Sequence, residues 1–285
     1  MNEKSIFENL IAALVTPIKN FQIEEAALAD HLEFLQKNGV NKILSGGTTG
    51  EFFSIGNSLR YKLFELTKKN FNGKIIFNVS DTSLSDVKKN IEFAQNSGAD
   101  AIALIPPFYF ANAPIEGIIN FFNDAVNFSE IPCMLYNFTK HTQNKITPEI
   151  IKSVPQAAAL KDSDKDETLI THTPCYVCGG DSLIYDFYRK GAKGVISVMA
   201  NYCPKLAVKM WNQLQNSDFD DAKKTQEQIC EIASHFRKDD QIARIKYALS
   251  RILNEYSPEV LPPLLPLDKF AKKEIDELFD KKILG

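Results

Sequence analysis

Nothing in this 285-residue chain is apolar over a long enough run to cross a bilayer as a helix. The longer apolar stretches, at 101–110 and 260–267, are broken by prolines. The first apolar run, Ile11 to Val15, is too short for the core of a secretion signal and follows Glu3, Lys4 and Glu8. The expected location is cytoplasmic. Histidine is scarce, and His31, His141, His172 and His235 form no HExxH or comparable ligand pattern. Of the five cysteines, only Cys175 and Cys178 have redox or zinc spacing. No second pair or histidine cluster completes such a site, and the residues between them favour a strand. Reduced thiols and no metal are expected. A net charge of −3 argues against bulk electrostatic capture of nucleic acid or of an anionic membrane. The lysine pairs 68–69, 88–89, 223–224 and 272–273 sit in polar, helical contexts and read as solvated faces.

What is present is a steady alternation. The apolar fraction of 44% supplies a sizeable core. Short apolar runs at Ile11–Val15, Lys42–Ser45, Lys74–Val79, Ala101–Ile105, Pro132–Tyr136, Ala157–Lys161, Tyr176–Gly179 and Gly194–Val198 read as strands. They lack polar alternation, as parallel strands covered on both faces do. Between them, Glu24 to Asn38 repeats apolar residues at helical spacing and stops at Gly39. Ser83 to Ser97 opens on a capping serine, Thr147-Pro148-Glu149 places proline at a first helical position, and Asp181 to Lys190 stops at Gly191. The strand–helix unit recurs often enough to favour an α/β fold of the (β/α)8 TIM barrel type over a doubly wound sheet. From Pro204 onward the pattern is helical, near 204–215, 219–237, 240–255 and 268–282. The expected organisation is a barrel over 1–203 with a helical extension over 204–285 packed on it as one structural unit.

In such a barrel the residues that follow strand C-termini gather at one mouth. Thr48 and Thr49 then follow strand 2, Tyr109 follows strand 4, Tyr136 ends strand 5 and Lys161 ends strand 6, with Ile196 and Ser197 on strand 8. A poorly solvated lysine can attack a ketone and form a Schiff base. The glycines of Gly47-Thr48-Thr49-Gly50-Glu51 allow a sharp turn that offers N–H groups and hydroxyls to a small anion such as a carboxylate. A tyrosine beside the amine can shuttle protons. Taken singly, the glycine-rich segment reads equally well as a tight turn, and Tyr136 and Lys161 read more readily as a satisfied core tyrosine and a surface lysine; together, in order, they read as a site.

The set Leu14-Val15-Thr16-Pro17, Gly47-Thr48-Thr49-Gly50-Glu51, Pro107-Phe108-Tyr109, Tyr136-Asn137, Leu160-Lys161-Asp162-Ser163 and Gly194-Val195-Ile196-Ser197-Val198 spans nearly the whole chain. It resembles the pyruvate-dependent class I aldolases that include dihydrodipicolinate synthase, N-acetylneuraminate lyase and 2-keto-3-deoxy sugar acid aldolases. The resemblance implies that Lys161 forms the Schiff base with pyruvate and that Tyr136 is the central proton relay. It gives Thr48 and Thr49 the carboxylate, with Thr49 passing a proton, and it matches Tyr109 to a tyrosine that completes the relay across a dimer interface. It further implies a homotetramer built as a dimer of dimers, a small 2-oxo acid as substrate, and no cofactor, because the imine is the electron sink. Gly47, Ile196, Ser163 and Asp181 join the substrate-binding candidates.

Specificity is expected from Asn137-Phe138-Thr139-Lys140-His141-Thr142-Gln143. Relatives usually place proline at Thr139 and often glycine near Gln143, so this loop is expected to run differently. The synthases typically have arginine where His141 falls, and imidazole does not copy its bidentate clamp; Lys140 is a substitute cation. Ser182 and Val198 depart from the sialate lyase pattern. Lys161-Asp162-Ser163 and Gly179-Gly180-Asp181-Ser182-Leu183-Ile184-Tyr185 are similar to the 2-keto-3-deoxy sugar acid aldolases. Phe108, Phe110 and Phe138 read as a relatively apolar far wall suited to a short or deoxygenated aldehyde. Cleavage of such an acid to pyruvate and an aldehyde is the leading expectation. The synthase, the sialate lyase, a lysine-dependent dehydratase and a non-catalytic binding relative are the alternatives.

Overall fold

The computed structural model describes residues 6–284. Eight parallel strands form a closed barrel in sequential order: β1 (Asn9–Ala13), β2 (Lys42–Ser45), β3 (Lys74–Asn78), β4 (Ala101–Leu104), β5 (Cys133–Asn137), β6 (Ala159–Asp162), β7 (Tyr176–Gly179) and β8 (Gly194–Ser197). All eight expected strands are present. Those of β4, β5, β6 and β8 are buried at every position, which is why none alternates in sequence.

The helices are α1 (Glu25–Lys37), α2 (Asn57–Asn70), α3 (Leu84–Asn96), α4 (Ile115–Val126), α5 (Thr139–Thr142), α6 (Pro148–Ser153), α7 (Ile184–Arg189), α8 (Pro204–Gln215), α9 (Phe219–Phe236), α10 (Gln241–Ile252) and α11 (Lys269–Asp280). Their ends follow local chemistry. The Ser83 hydroxyl accepts the Asp86 N–H at 3.1 Å and donates to its carboxylate at 2.7 Å, opening α3. The Thr147 hydroxyl accepts the Ile150 N–H, with Pro148 in the first turn of α6.

Most expected strand ends shift by one or two residues: β5 and β6 run one residue past Tyr136 and Lys161, to Asn137 and Asp162, and three further differences stand out. β1 begins and ends two residues early, because the Val15 N–H is taken by the Asn201 side chain at 3.1 Å instead of by a strand. A small antiparallel hairpin, Ile18–Lys19 with Gln22–Ile23, was not expected. Its turn puts Asn20 and Phe21 at φ of 50° and 58°, and phenylalanine gives no signal for that conformation. The expected helix from Asp181 opens instead as a 3-10 turn, Asp181–Leu183, before α7.

The chain divides into two compact units. One comprises the residues up to Ile11 together with Lys74–Ile196; the other comprises Ala12–Gly73 and Ser197 onward. The first carries β3 to β7 with α3 to α7. In it, β6 and β7 approach so closely at their C-terminal ends that a Cβ on Gly179 would lie 2.7 Å from the Asp162 carbonyl and 2.8 Å from Ser163 Cα. The second holds α1, β2, α2 and the four C-terminal helices α8 to α11. Here His31 of α1 is fully buried, with Nε2 3.2 Å from the Asn201 carbonyl. Burial holds its pKa down to about 4.

Two predictions follow from this packing. Gly179→Ala must push backbone against backbone and should lower stability by about 1–3 kcal/mol. Gly117→Ala, at an exposed position of α4 with nothing within 4 Å of the added methyl, should raise it by about 0.5–1 kcal/mol. Urea midpoints of the two variants moving in the same direction would contradict the packing described. As pH falls from 6.5 toward about 4, the unfolded chain takes up a proton that folded His31 refuses, so stability should drop across that window. His31→Asn should flatten that part of the stability–pH curve by up to about one proton's worth of slope. An unchanged slope would show that His31 does not titrate this way.

Candidate active site

In parallel strands, residues in register share a side of the sheet and alternate along the chain. Tyr136 of β5 is in register with Lys161 of β6, which is in register with Val177 of β7. One step on, Asn137 is in register with Asp162, and Asp162 with Cys178. Two rows of opposite orientation result, one bearing the amine and phenol, the other a carboxylate and its partners.

On the first row, Lys161 is 6% exposed and Tyr136 3%. The lysine nitrogen lies 3.5 Å from the centroid of the Tyr136 ring, so the amine rests on the aromatic face and not in bulk solvent. Phe138 stacks on that ring, at 5.9 Å between centroids and 23° between planes, and His141 meets Phe138 edge-on at 4.2 Å. A continuous aromatic stack therefore runs from the lysine into the loop after β5.

The second row fixes the strand that presents Lys161. Asp162 is fully buried and its carboxylate accepts four hydrogen bonds: Tyr176 hydroxyl at 2.8 Å, Asn137 amide at 2.9 Å, and the backbone N–H groups of Asp164 at 3.0 Å and Asp166 at 2.6 Å. Burial raises the Asp162 pKa, with those donors opposing it. Burial, then the nearby carboxylate, raises the Tyr176 phenol, which stays a donor. The loop is tied to the same scaffold. Thr139 gives its N–H to Asp164 at 3.0 Å and its hydroxyl to the same carboxylate, which also accepts from Asn137 at 3.1 Å. Gln143 closes α5 at φ 56°, a left-handed conformation that glycine adopts most easily.

The other first-unit candidates occupy defined places. Ser163 donates its N–H to the Asn137 carbonyl at 2.9 Å, and Ile196 of β8 is in register with Gly179. Asp181 is buried at the start of its 3-10 turn. Lys140 and His141 are exposed on α5, and His141 is held below its ordinary pKa by partial burial and by Lys140. Tyr109 sits at φ 79° and is 88% exposed, packed edge-on against Phe110 at 5.5 Å. A bulky aromatic held in that region is strained backbone.

Gly47, Thr48 and Thr49 belong to the second unit, in the turn after β2. That turn closes on itself: Gly50 N–H donates to the Gly47 carbonyl at 3.0 Å and Glu51 N–H to the Thr48 carbonyl at 3.1 Å. The Thr16 hydroxyl donates to the Gly50 carbonyl at 2.8 Å. Both threonine side chains stay partly exposed.

Cys175 directly precedes β7 and Cys178 lies within it, so this spacing belongs to a strand as expected, and all five cysteines are free thiols, Cys133 and Cys178 pushed by burial up to about 12. Among the described residues no group of three or more His, Cys, Asp or Glu is placed to hold a metal ion. No described helix is long and apolar enough to cross a membrane. Sequence reasoning missed the support network. Asp162 was visible as an acid directly after the lysine on an apolar strand, and Tyr176 as the hydroxyl inside the cysteine spacing.

Tyr176→Phe leaves one buried oxygen of Asp162 short of a donor. It should cost about 1–3 kcal/mol in urea unfolding. A change within about 0.5 kcal/mol would mean the hydroxyl does not carry that carboxylate.

A family model described as the Dihydrodipicolinate synthetase family matches residues 6–282. The 4-hydroxy-tetrahydrodipicolinate synthase of Staphylococcus haemolyticus is 29% identical over 290 residues, 97% of this chain and 97% of that protein. The enzyme of the same name from Methanocaldococcus jannaschii is 26% identical over 285 residues, 96% and 98% of the two chains. Among solved structures, YagE, a prophage protein of the dihydrodipicolinic acid synthase family from E. coli K12 in complex with pyruvate, superposes with a TM-score of 0.91 at 22% identity, over 98% and 99% of the chains. KD(P)GA from T. tenax does so at 0.87 and 21% identity, over 96% and 98%. These structural likenesses establish the barrel.

Proposed function

The chain belongs to the dihydrodipicolinate synthetase family, and on that premise we propose that it is a Schiff-base-forming aldolase acting on pyruvate. The observation that carries this reading is the buried Lys161 amine resting on the face of Tyr136. The amine attacks the 2-oxo carbon of the substrate and water leaves, giving a protonated imine. Tyr136 takes the C4 hydroxyl proton, the C3–C4 bond breaks, and its electron pair moves into the imine to form an enamine as the aldehyde departs. Protonation at C3 and hydrolysis of the imine release pyruvate and regenerate the amine. In this reading Thr48 and Thr49 hold the carboxylate, Thr49 passes protons for Tyr136, and the strained, exposed Tyr109 is offered to a second copy of the chain in a homotetramer.

For the substrate we favour a 2-keto-3-deoxy sugar acid. The loop that follows Tyr136 presents an aromatic stack, Phe138 and His141, with Lys140 beside it and no arginine clamp. The competing reading, condensation of pyruvate with aspartate semialdehyde, is favoured by the names of the relatives in the sequence comparison. Lys140 is the group that would meet that substrate's carboxylate.

The test is borohydride reduction in the presence of pyruvate, followed by peptide mass mapping. Label is expected on Lys161 and absent in Lys161→Ala; label on another lysine, or none, defeats the mechanism. Tyr136→Phe should slow turnover by about 10²–10⁴-fold. A panel of 2-keto-3-deoxy acids, sialic acid, and pyruvate with aspartate semialdehyde then ranks the substrates. Release of water without aldehyde would instead identify a dehydratase.

A further inference from the structure

Directly after the threonine pair the backbone takes a conformation that side chains disfavour: Glu51 sits at φ 60°. It is held there through its carboxylate. Glu51 forms an ion pair with Lys246 of α10, and neither side chain has any exposure to solvent. The other carboxylate oxygen accepts the Leu261 N–H at 2.9 Å, and the Lys246 ammonium also donates to the Glu259 carbonyl at 2.8 Å. Burial pulls the lysine below its ordinary pKa while Glu51 draws it back up.

Two charges taken this far out of water recover their desolvation only with good geometry and extra hydrogen bonds, and apolar residues of the same volume often serve stability as well. The pair is better explained by the geometry it fixes. The Glu51 N–H closes the turn on the Thr48 carbonyl, and its own carbonyl accepts the Ser54 N–H at 2.8 Å. Rotating Glu51 out of its left-handed conformation therefore disturbs the peptide that carries Thr48 and Thr49. On the upstream side the Gly50 carbonyl is already pinned by Thr16, so Lys246 supplies the downstream restraint from a helix almost two hundred residues later in the chain.

We propose that Lys246 is a positioning residue for the reaction: through Glu51 it holds Thr48 and Thr49 in the conformation that receives the substrate carboxylate. This rests on the reading above that those threonines bind the carboxylate. Lys246 itself touches no substrate in this scheme.

The test compares wild type, Lys246→Met and the double variant Glu51→Gln with Lys246→Met. The single variant strands a buried carboxylate and is expected to lose much of its thermal stability. The double variant keeps an oxygen for the Leu261 N–H and removes both charges, and should fold with a thermal midpoint near wild type. Two readouts follow on the folded double variant. Hydrogen exchange at the amides of 48–51 should accelerate, and the pyruvate concentration giving half-maximal borohydride labelling of Lys161 should rise about tenfold with the saturating yield retained. Unchanged exchange and unchanged half-saturation would overturn the proposal and leave the pair a stability element only. Failure of the double variant to fold would do the same, since the pair would then be required for the fold itself. If wild type takes no label, the aldolase reading fails, and the exchange result alone decides whether Lys246 restrains the turn.

Discussion

The structure depends first on the register between β5 and β6. One residue of slip would carry Lys161 to the other side of the sheet and bring Asp162 against Tyr136 instead. The register is secured from the opposite row. There Asp162 is bonded to Asn137 on one neighbouring strand and to Tyr176 on the other, so three consecutive strands are keyed by a single buried carboxylate. The backbone N–H groups of Asp164 and Asp166 complete that carboxylate and turn the chain away just beyond the lysine. Amine and phenol are thus neighbours because of polar bonds made behind them.

Carboxylates anchor two of the segments in which the backbone departs from ordinary geometry. The loop after β5 is strapped to Asp164 by Thr139 and ends at left-handed Gln143. The turn after β2 ends at left-handed Glu51, paired with Lys246. In each case a position that glycine would fill at little cost carries a side chain, and a buried or partly buried carboxylate lies close by in the network. Such strain persists only where surrounding bonds over-determine the conformation. Both segments are the ones to which substrate contacts are assigned in the proposed reaction.

Much of the barrel was legible in the sequence because its parallel strands are buried on both faces and its helices end on glycine, serine and proline. The eight apolar runs map onto the eight strands, and the caps at Ser83 and Thr147 form as their residue types require. Lys161 and Tyr136 were legible as residues near strand ends, each one position short of the end, and their adjacency follows from consecutive strands in register. What stayed hidden depends on partners remote in sequence. Lys246 lies on the apolar side of α10, between buried Ala243 and Leu249, but nothing local names Glu51 as its partner. The shortened end of β1 was hidden for the same reason, since the Val15 amide is claimed by Asn201, whereas the Asn20-Phe21 hairpin was hidden because Phe21 is not a turn residue.

The most direct measurement of the central claim is a crystal structure of the protein soaked in pyruvate. Continuous density joining the Lys161 nitrogen to carbon 2 of the ligand, with that nitrogen still lying over the Tyr136 ring, is the predicted result. Pyruvate bound elsewhere with Lys161 unmodified, or no ordered pyruvate at a concentration that saturates labelling of a known pyruvate aldolase, would contradict it.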